Sequence, residues 1–392
     1  RTTMRGILTP AFALNDDWNQ RHSEIKKLGL GGDYEWIATI QKKWIGGGHA
    51  TAVDVDVAVC MGEEKDQVDD LLDMIRKLRH SPVASRLAHS SQYALLRLLL
   101  KHNYKEIIEL ALDPMNNGVF ANDHSACLIL DHLIEKKDWK DAVRVCGWMM
   151  QQEEYGSELL NCLCLYSCLR WMGDPIESRI DLTKEEEEIN EDDILTLKMA
   201  FLKNEWNDNH LDLVHLPPLV AKTVNWLTRE MKLDDTLKGA MEAISTVVSG
   251  SRISSIDTLS PATARLVYFY LSTLADLSEE DKEYIDEIKV VSESGEGEVG
   301  DLAQLVLCYM EKIQETEEMK LMEAQKNKFM EWNRKRRSLI EAQTKRLQLK
   351  MTRSEMEREL ADLRDEEQRL FFFENRLLLE KSARENAEIA NE

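Results

Sequence analysis

Apolar residues recur at three- and four-residue spacing along most of the chain. Leu95, Leu98, Leu99 and His102 form one such line, and Ile107, Ile108, Ala111 and Leu112 form the next. That spacing lays side chains along one face of an α-helix. Followed along the sequence, it predicts a helix from Asp33, as N-cap, to Ile45, stopped by "GGGH" at 46–49. From about Thr51 helices come in pairs: 51–61 with 64–79, 90–102 with 104–113, 124–136 with 139–152, and 157–172 opening a fourth pair. His80-Ser81-Pro82, Asn117-Gly118 and Gly156-Ser157 supply the turns. Residues 1–32 read as irregular. Further helices are expected at 193–204, 218–230, 233–249 and 261–276. From Asp301 to Ala390 neither proline nor glycine occurs, which predicts one very long helix or a helical hairpin.

The pairs repeat. Asn103-Tyr104-Lys105-Glu106 aligns with Asp138-Trp139-Lys140-Asp141, Ile107-Ile108 with Ala142-Val143, and Met115 with Met150, an interval of 35 residues. Leu71-Leu72 stands 36 residues before Ile107-Ile108. A lone helical hairpin cannot bury its own apolar stripe and must stack on a neighbour, so a regular interval of this length predicts an α-solenoid. Pro114 falls inside a predicted second helix, where it costs about 3 kcal/mol or ends the helix.

Composition narrows the function classes. The 392 residues include 50 basic and 72 acidic ones, a net charge of −22 that repels nucleic acid and anionic membrane from the chain as a whole. Any contact with a polyanion must be local. Seven cysteines, an odd number in helical and apolar settings, point to a reducing compartment rather than a disulfide framework. No apolar run approaches the roughly 18–20 residues that span a bilayer. Arg1 in place of Met fits either a trimmed chain or a removed presequence, a mitochondrial transit peptide being one candidate. The run "DPIESRIDLTKEEEEINEDD" (174–193) reads as a solvated acidic connector, and "SESGEGEVGD" (292–301) as a flexible linker.

The local exception to the acidic balance is "QKNKFMEWNRKRRSLIEAQTKRLQLKMTR" (325–353). Between Lys320 and Arg353 there are eleven basic residues and three acidic ones. On a helix, Lys328, Lys335, Arg346 and Arg353 fall within about 20° of one another, with Lys350 about 60° away. Trp332 and Leu339 flank that stripe, while Met322, Phe329, Ile340, Leu347 and Met351 gather on another face suited to docking. Lys328, Arg334, Lys335, Arg336, Arg337, Lys345, Arg346, Lys350 and Arg353 are therefore the candidate RNA-binding residues, since cations on a rigid helix suit phosphates spaced along a backbone. A solvated face, and an anionic membrane surface or a calmodulin-like groove, compete with that reading.

The tail (355–386) carries a seven-residue series, Met356, Leu363, Leu370 and Leu377, whose partner positions Leu360, Glu367, Glu374 and Lys381 are mostly polar. A self-sufficient two-stranded coiled coil needs both series apolar. Leu363, Leu370, Phe371, Phe373, Leu377 and Leu378 are accordingly candidate docking residues for a different partner or for the body of the chain.

Catalytic and metal motifs are not evident. Cys164 and Cys168 share a helical face, but Cys162 does not and no His stands near. "GLGG" and "GGGH" lack the Lys-Ser/Thr or strand–helix setting of a phosphate loop, and neither His-Glu-x-x-His nor Gly-x-Ser-x-Gly occurs. The expectation is a non-enzyme with no cofactor, metal or small-molecule substrate.

A helical pair of 35 residues that closes on "MNNGVFAND" (115–123) resembles the pentatricopeptide repeat, with Ala121 where that family usually has proline. The 34-residue tetratricopeptide pattern is absent. The second copy, "MQQEEYGSE" (150–158), keeps the Met and loses the Gly. The resemblance implies an all-α fold: a degenerate pentatricopeptide-type α-solenoid of helical hairpins followed by a long C-terminal helix or helical hairpin. Such arrays read single-stranded RNA one base per repeat. The reading positions fall at Gln92–Tyr93 and at Cys127–Leu128, and the second pair is apolar, which favours a protein-packing scaffold over base reading.

"IRKLRHSP" (75–82), "NNGVFANDHSACLILDHLIEKKDWKDAVRVCGWMMQQE" (116–153) and "FMEWNRKRRSLIEAQTKRLQ" (329–348) are similar to a pentatricopeptide-type family of mitochondrial small-subunit ribosomal proteins. The resemblance is good over 50–172, moderate over 310–355 and poor over 174–300. It implies a non-catalytic ribosomal component in the mitochondrial matrix whose partners are small-subunit rRNA and other small-subunit ribosomal proteins. A free pentatricopeptide factor that processes or stabilises transcripts, and a helical scaffold with no RNA contact, are the alternatives. The expected organisation has an N-terminal extension and first helix at 1–50, and repeats at 51–172. An acidic connector and further hairpins follow at 173–291, a linker at 292–300, and the long basic and amphipathic helix with its coiled-coil-like tail at 301–392.

Overall fold

The computed structural model describes residues 6–174, 210, 213, 215–233, 235–272, 279–294 and 301–389. They fall in two compact units, Arg1–Arg334 and Lys335–Glu392, and each is taken by itself. No strand occurs among the described residues.

The first unit is built of helices α1 (Asn15–Lys26), α2 (Asp33–Ile45), α3 (Ala52–Met61), α4 (Val68–Arg79), α5 (His89–His102), α6 (Lys105–Leu112), the single turn α7 (Pro114–Asn117), α8 (Asp123–Lys136), α9 (Trp139–Gln151) and α10 (Glu158–Gly173). After these come α11 (Leu216–Glu230), α12 (Asp235–Val248), α13 (Pro261–Leu271), α14 (Glu279–Glu293) and the opening part of α15 (Asp301–Ile389). Most predicted boundaries in the repeats hold within a residue or two, because the sequence marks them chemically. Thr51 and Asp54 exchange side-chain bonds with each other's backbone N–H, both at 3.2 Å, and so cap α3. Asn122 caps α8 by accepting from Ser125 N at 2.9 Å. Pro114 ends the second helix of its pair: α6 stops at Leu112, and the chain turns through α7 to Gly118, left-handed at φ 61°.

The hairpins stack in two layers. The first helices pack in succession, α3 on α5, α5 on α8 and α8 on α10, while α6 packs on α9 and α9 on α11 behind them. Leu95, Leu99, Ile107, Cys127, Leu130, Cys146 and Trp148 are among the buried side chains between the layers. This is the all-α, solenoid-like arrangement that the 35- and 36-residue intervals predict.

Two segments depart from expectation. Residues 15–26 are helical, not irregular; acids at Asp16 and Asp17 and Lys26 in the last turn suit the helix dipole. Its inner face is Trp18, Arg21 and Ile25, and the arginine in the middle disguises the stripe. Helix α14 (Glu279–Glu293) is also unforeseen, since only Ile285, Ile288 and Ser292 of its strongly charged sequence are buried among the described side chains. The acidic connector beyond Asp174, the helix expected at 193–204, the end of the one expected at 261–276, and residues 295–300 of the expected linker lie outside the described residues.

The second unit is the remainder of α15. It is a helix whose one non-helical residue is Asn375 (φ −110°, ψ 21°), which kinks it.

Candidate nucleic-acid interface

The site begins with Asp131 of α8 and Glu318 of α15, which hold the N-terminal segment between them. Asp131 Oδ1 accepts from Ile7 N at 2.6 Å and Leu8 N at 3.1 Å. Glu318 accepts from Thr9 N at 3.2 Å, from the Thr9 hydroxyl, and from Gln314 Nε2 at 2.6 Å; Gln314 also donates to Ile7 O at 2.8 Å. Burial raises the pKa of the Asp131 carboxyl, with the two backbone donors pulling the other way.

From that anchor the first 34 residues of α15 cross the layer of first helices in reverse chain order. Tyr309 donates to Glu158 at the start of α10 (3.2 Å). Gln325 accepts from Asn122, the cap of α8, at 2.9 Å. Phe329 and Trp332 reach Tyr93 of α5, with ring centroids 5.3 and 5.4 Å away. Trp18 closes on the same cluster, 5.0 Å from Tyr93 and 5.3 Å from Phe329.

Under the cluster runs a buried polar chain. Arg97 donates to the Tyr93 hydroxyl at 3.0 Å and to Ala13 O at 2.6 Å. His124 lies 3.0 Å from the Tyr93 hydroxyl through Nδ1 and 2.8 Å from Phe12 O through Nε2. A carbonyl can only accept, so Nε2 carries the proton and Nδ1 accepts from the tyrosine. Burial, opposed by the Phe12 carbonyl, depresses the His124 pKa to about 3, and the Tyr93 hydroxyl is pushed up to about 12 by its own burial.

Of the four positions that would read bases, Gln92, Tyr93 and Cys127 are buried and Leu128 is half-buried. Tyr93 is 2% and Gln92 5% exposed, and the Gln92 amide oxygen accepts from Phe120 N at 2.7 Å. Cys127 is buried in the core as well. The sequence places Trp332 beside a cationic stripe, whereas in the folded chain its ring serves the cluster on Tyr93.

The predicted basic residues divide. Lys328 and Arg334, in the first unit, are exposed. In the second unit Lys335, Arg337, Lys345, Arg346, Lys350 and Arg353 are exposed as well, and Arg353 holds Glu357 at 2.9 Å. Arg336 is the exception at 3% exposure, so its guanidinium is not offered to a polyanion. It lies eleven residues after Gln325, as Ile340 does after Phe329, and all four are buried.

Of the predicted docking residues, Leu363, Leu370, Phe371, Leu377 and Leu378 are exposed. The Phe373 side chain lies outside the described residues. Among the described residues no helix is long and apolar enough to cross a membrane, and no cluster of three or more His, Cys, Asp or Glu could hold a metal ion. The chemistry on offer is cationic display and apolar docking. A family model described as mitochondrial 28S ribosomal protein S27 matches residues 1–362.

Proposed function

We propose, for a chain that belongs to the mitochondrial 28S ribosomal protein S27 family and is thereby a mitochondrial small-subunit ribosomal protein, that it is a non-catalytic structural component holding small-subunit rRNA with the basic segment of α15. The matrix, where mitochondrial translation takes place, is the compartment this role implies. The observation that carries the reading is the display of Lys335, Arg337, Lys345, Arg346, Lys350 and Arg353 on exposed helix in a chain of net charge −22. A concentrated patch of this kind neutralises phosphates without reading bases, and positions a protein on a folded RNA. Gln92 and Tyr93, spent on packing, speak against a free factor that reads transcripts. The exposed leucines of the tail serve a protein neighbour.

Ultraviolet cross-linking in intact mitochondria tests this. Peptides attached to small-subunit rRNA are expected within 334–353. Cross-links confined to 89–136 would return the role to the helical repeats. Their complete absence from a chain that still sediments with the small subunit would leave a protein scaffold.

A further inference from the structure

Beyond Arg353 the helix changes character. Met356, Leu363, Leu370 and Leu377 form a seven-residue series, and all four are exposed. At 100° per residue, Glu359 and Glu366 lie about 40° and 60° to one side of Leu363, and Glu367 about 40° to the other. Glu374 takes the same place beside Leu370. These four glutamates are exposed, and none makes an ion pair among the described residues. Acids outnumber bases ten to six between Glu355 and Glu385. The kink at Asn375 opens a groove of about 420 Å³ lined by Glu367, Gln368, Phe371, Phe372 and Leu379.

We propose that this leucine line is the seat of a basic amphipathic helix from a partner protein. The inference rests on the reading of the tail as a docking helix and adds the chemistry of its occupant. A second copy of the chain fits poorly, because Glu367 and Glu374 occupy the seam beside the leucines and would meet their own copies there. RNA fits worse against the same four glutamates. A partner carrying leucines along its seam and lysines or arginines beside them meets the glutamates that flank Leu363 and Leu370; beside Leu377 the same place is held by Lys381, which pairs with Glu385. Its apolar residues cover Leu363, Leu370 and Leu377, its cations meet the glutamates beside Leu363 and Leu370, and one long cationic side chain enters the groove against Phe371 and Glu367.

The test uses the full chain and two synthetic helical probes with the same leucine seam, one flanked by lysines and one by glutamates, with binding followed by fluorescence anisotropy. Four exposed pairs acting together favour the lysine probe by about tenfold at low salt, and the preference shrinks as salt is raised. Glu366→Lys, Glu367→Lys and Glu374→Lys together reverse the preference. Leu363→Asp with Leu370→Asp abolishes binding of both probes, while circular dichroism stays unchanged because both leucines are exposed. Equal affinity for the two probes, with binding still lost in the leucine variant, would overturn the charge assignment and leave the docking helix standing. Binding indifferent to the leucine variant, or no binding of either probe, would overturn both. A concentration-dependent dimer abolished by the leucine variant would make a second copy the occupant.

Discussion

Tyr93 meets Phe329 edge to face, ring centroids 5.3 Å apart, where the first helices of the repeats would otherwise present an open surface. The chain fills its own groove. A helix more than two hundred residues downstream supplies the aromatic rings, and the polar bonds of Gln314, Glu318 and Gln325 fix its register. Removing the inserted ring tests this directly. Phe329→Ala leaves a cavity in a buried cluster and is expected to cost about 3–5 kcal/mol in urea denaturation. A loss below about 1 kcal/mol would mean that α15 does not pack there.

Acidification is expected to loosen the same region. His124 titrates at about 3 in the folded chain, against an ordinary value near 6.5. Between those values the unfolded chain binds the extra proton, so stability rises with pH through that window. The contribution is fully present above about 6.5 and fades as pH falls toward 3. Chemical denaturation at pH 7 and pH 5 should show the drop, and His124→Gln should flatten that pH dependence while lowering stability at pH 7.

Gly118 turns the chain after α7 at φ 61°, and a Cβ there would come within 2.5 Å of Arg79 Cδ. Gly118→Ala is expected to cost about 1–2 kcal/mol from the left-handed backbone alone. Gly239, inside α12 with nothing within 4 Å of a Cβ, provides the contrast. Gly239→Ala should be neutral or slightly stabilising, and thermal melts of both variants beside the wild-type chain check the pair.

The stacked hairpins were legible because each boundary carries its own chemistry: Thr51 and Asn122 as caps, Pro114 as a stop, and glycines on both sides of Asp33–Ile45. What escaped was the inward face of α15. In the first unit its eleven-residue cadence runs Ala303, Gln314, Gln325 beside Leu307, Glu318, Phe329. Half of those positions are polar, so no apolar stripe betrays them. Glu318 and Gln314 can be placed there only because Ile7 and Thr9, far away in sequence, offer backbone partners. Arg21 hid α1 in the same way. Its guanidinium bonds Cys60 O at 2.8 Å and Glu63, neither of which local spacing reveals. The exposed leucine series of the tail, by contrast, is written in one short stretch at a regular seven-residue interval.

The most direct measurement is the salt dependence of small-subunit association for the wild-type chain and for the variant Lys335→Glu, Arg346→Glu, Lys350→Glu, Arg353→Glu. All four residues are exposed, so the variant is expected to fold. If they neutralise rRNA phosphates, the variant binds more weakly, and its log-affinity against log-salt slope falls by about 3, at roughly 0.7–0.9 per phosphate contact. An unchanged affinity and an unchanged slope would contradict the role of the basic segment in holding rRNA.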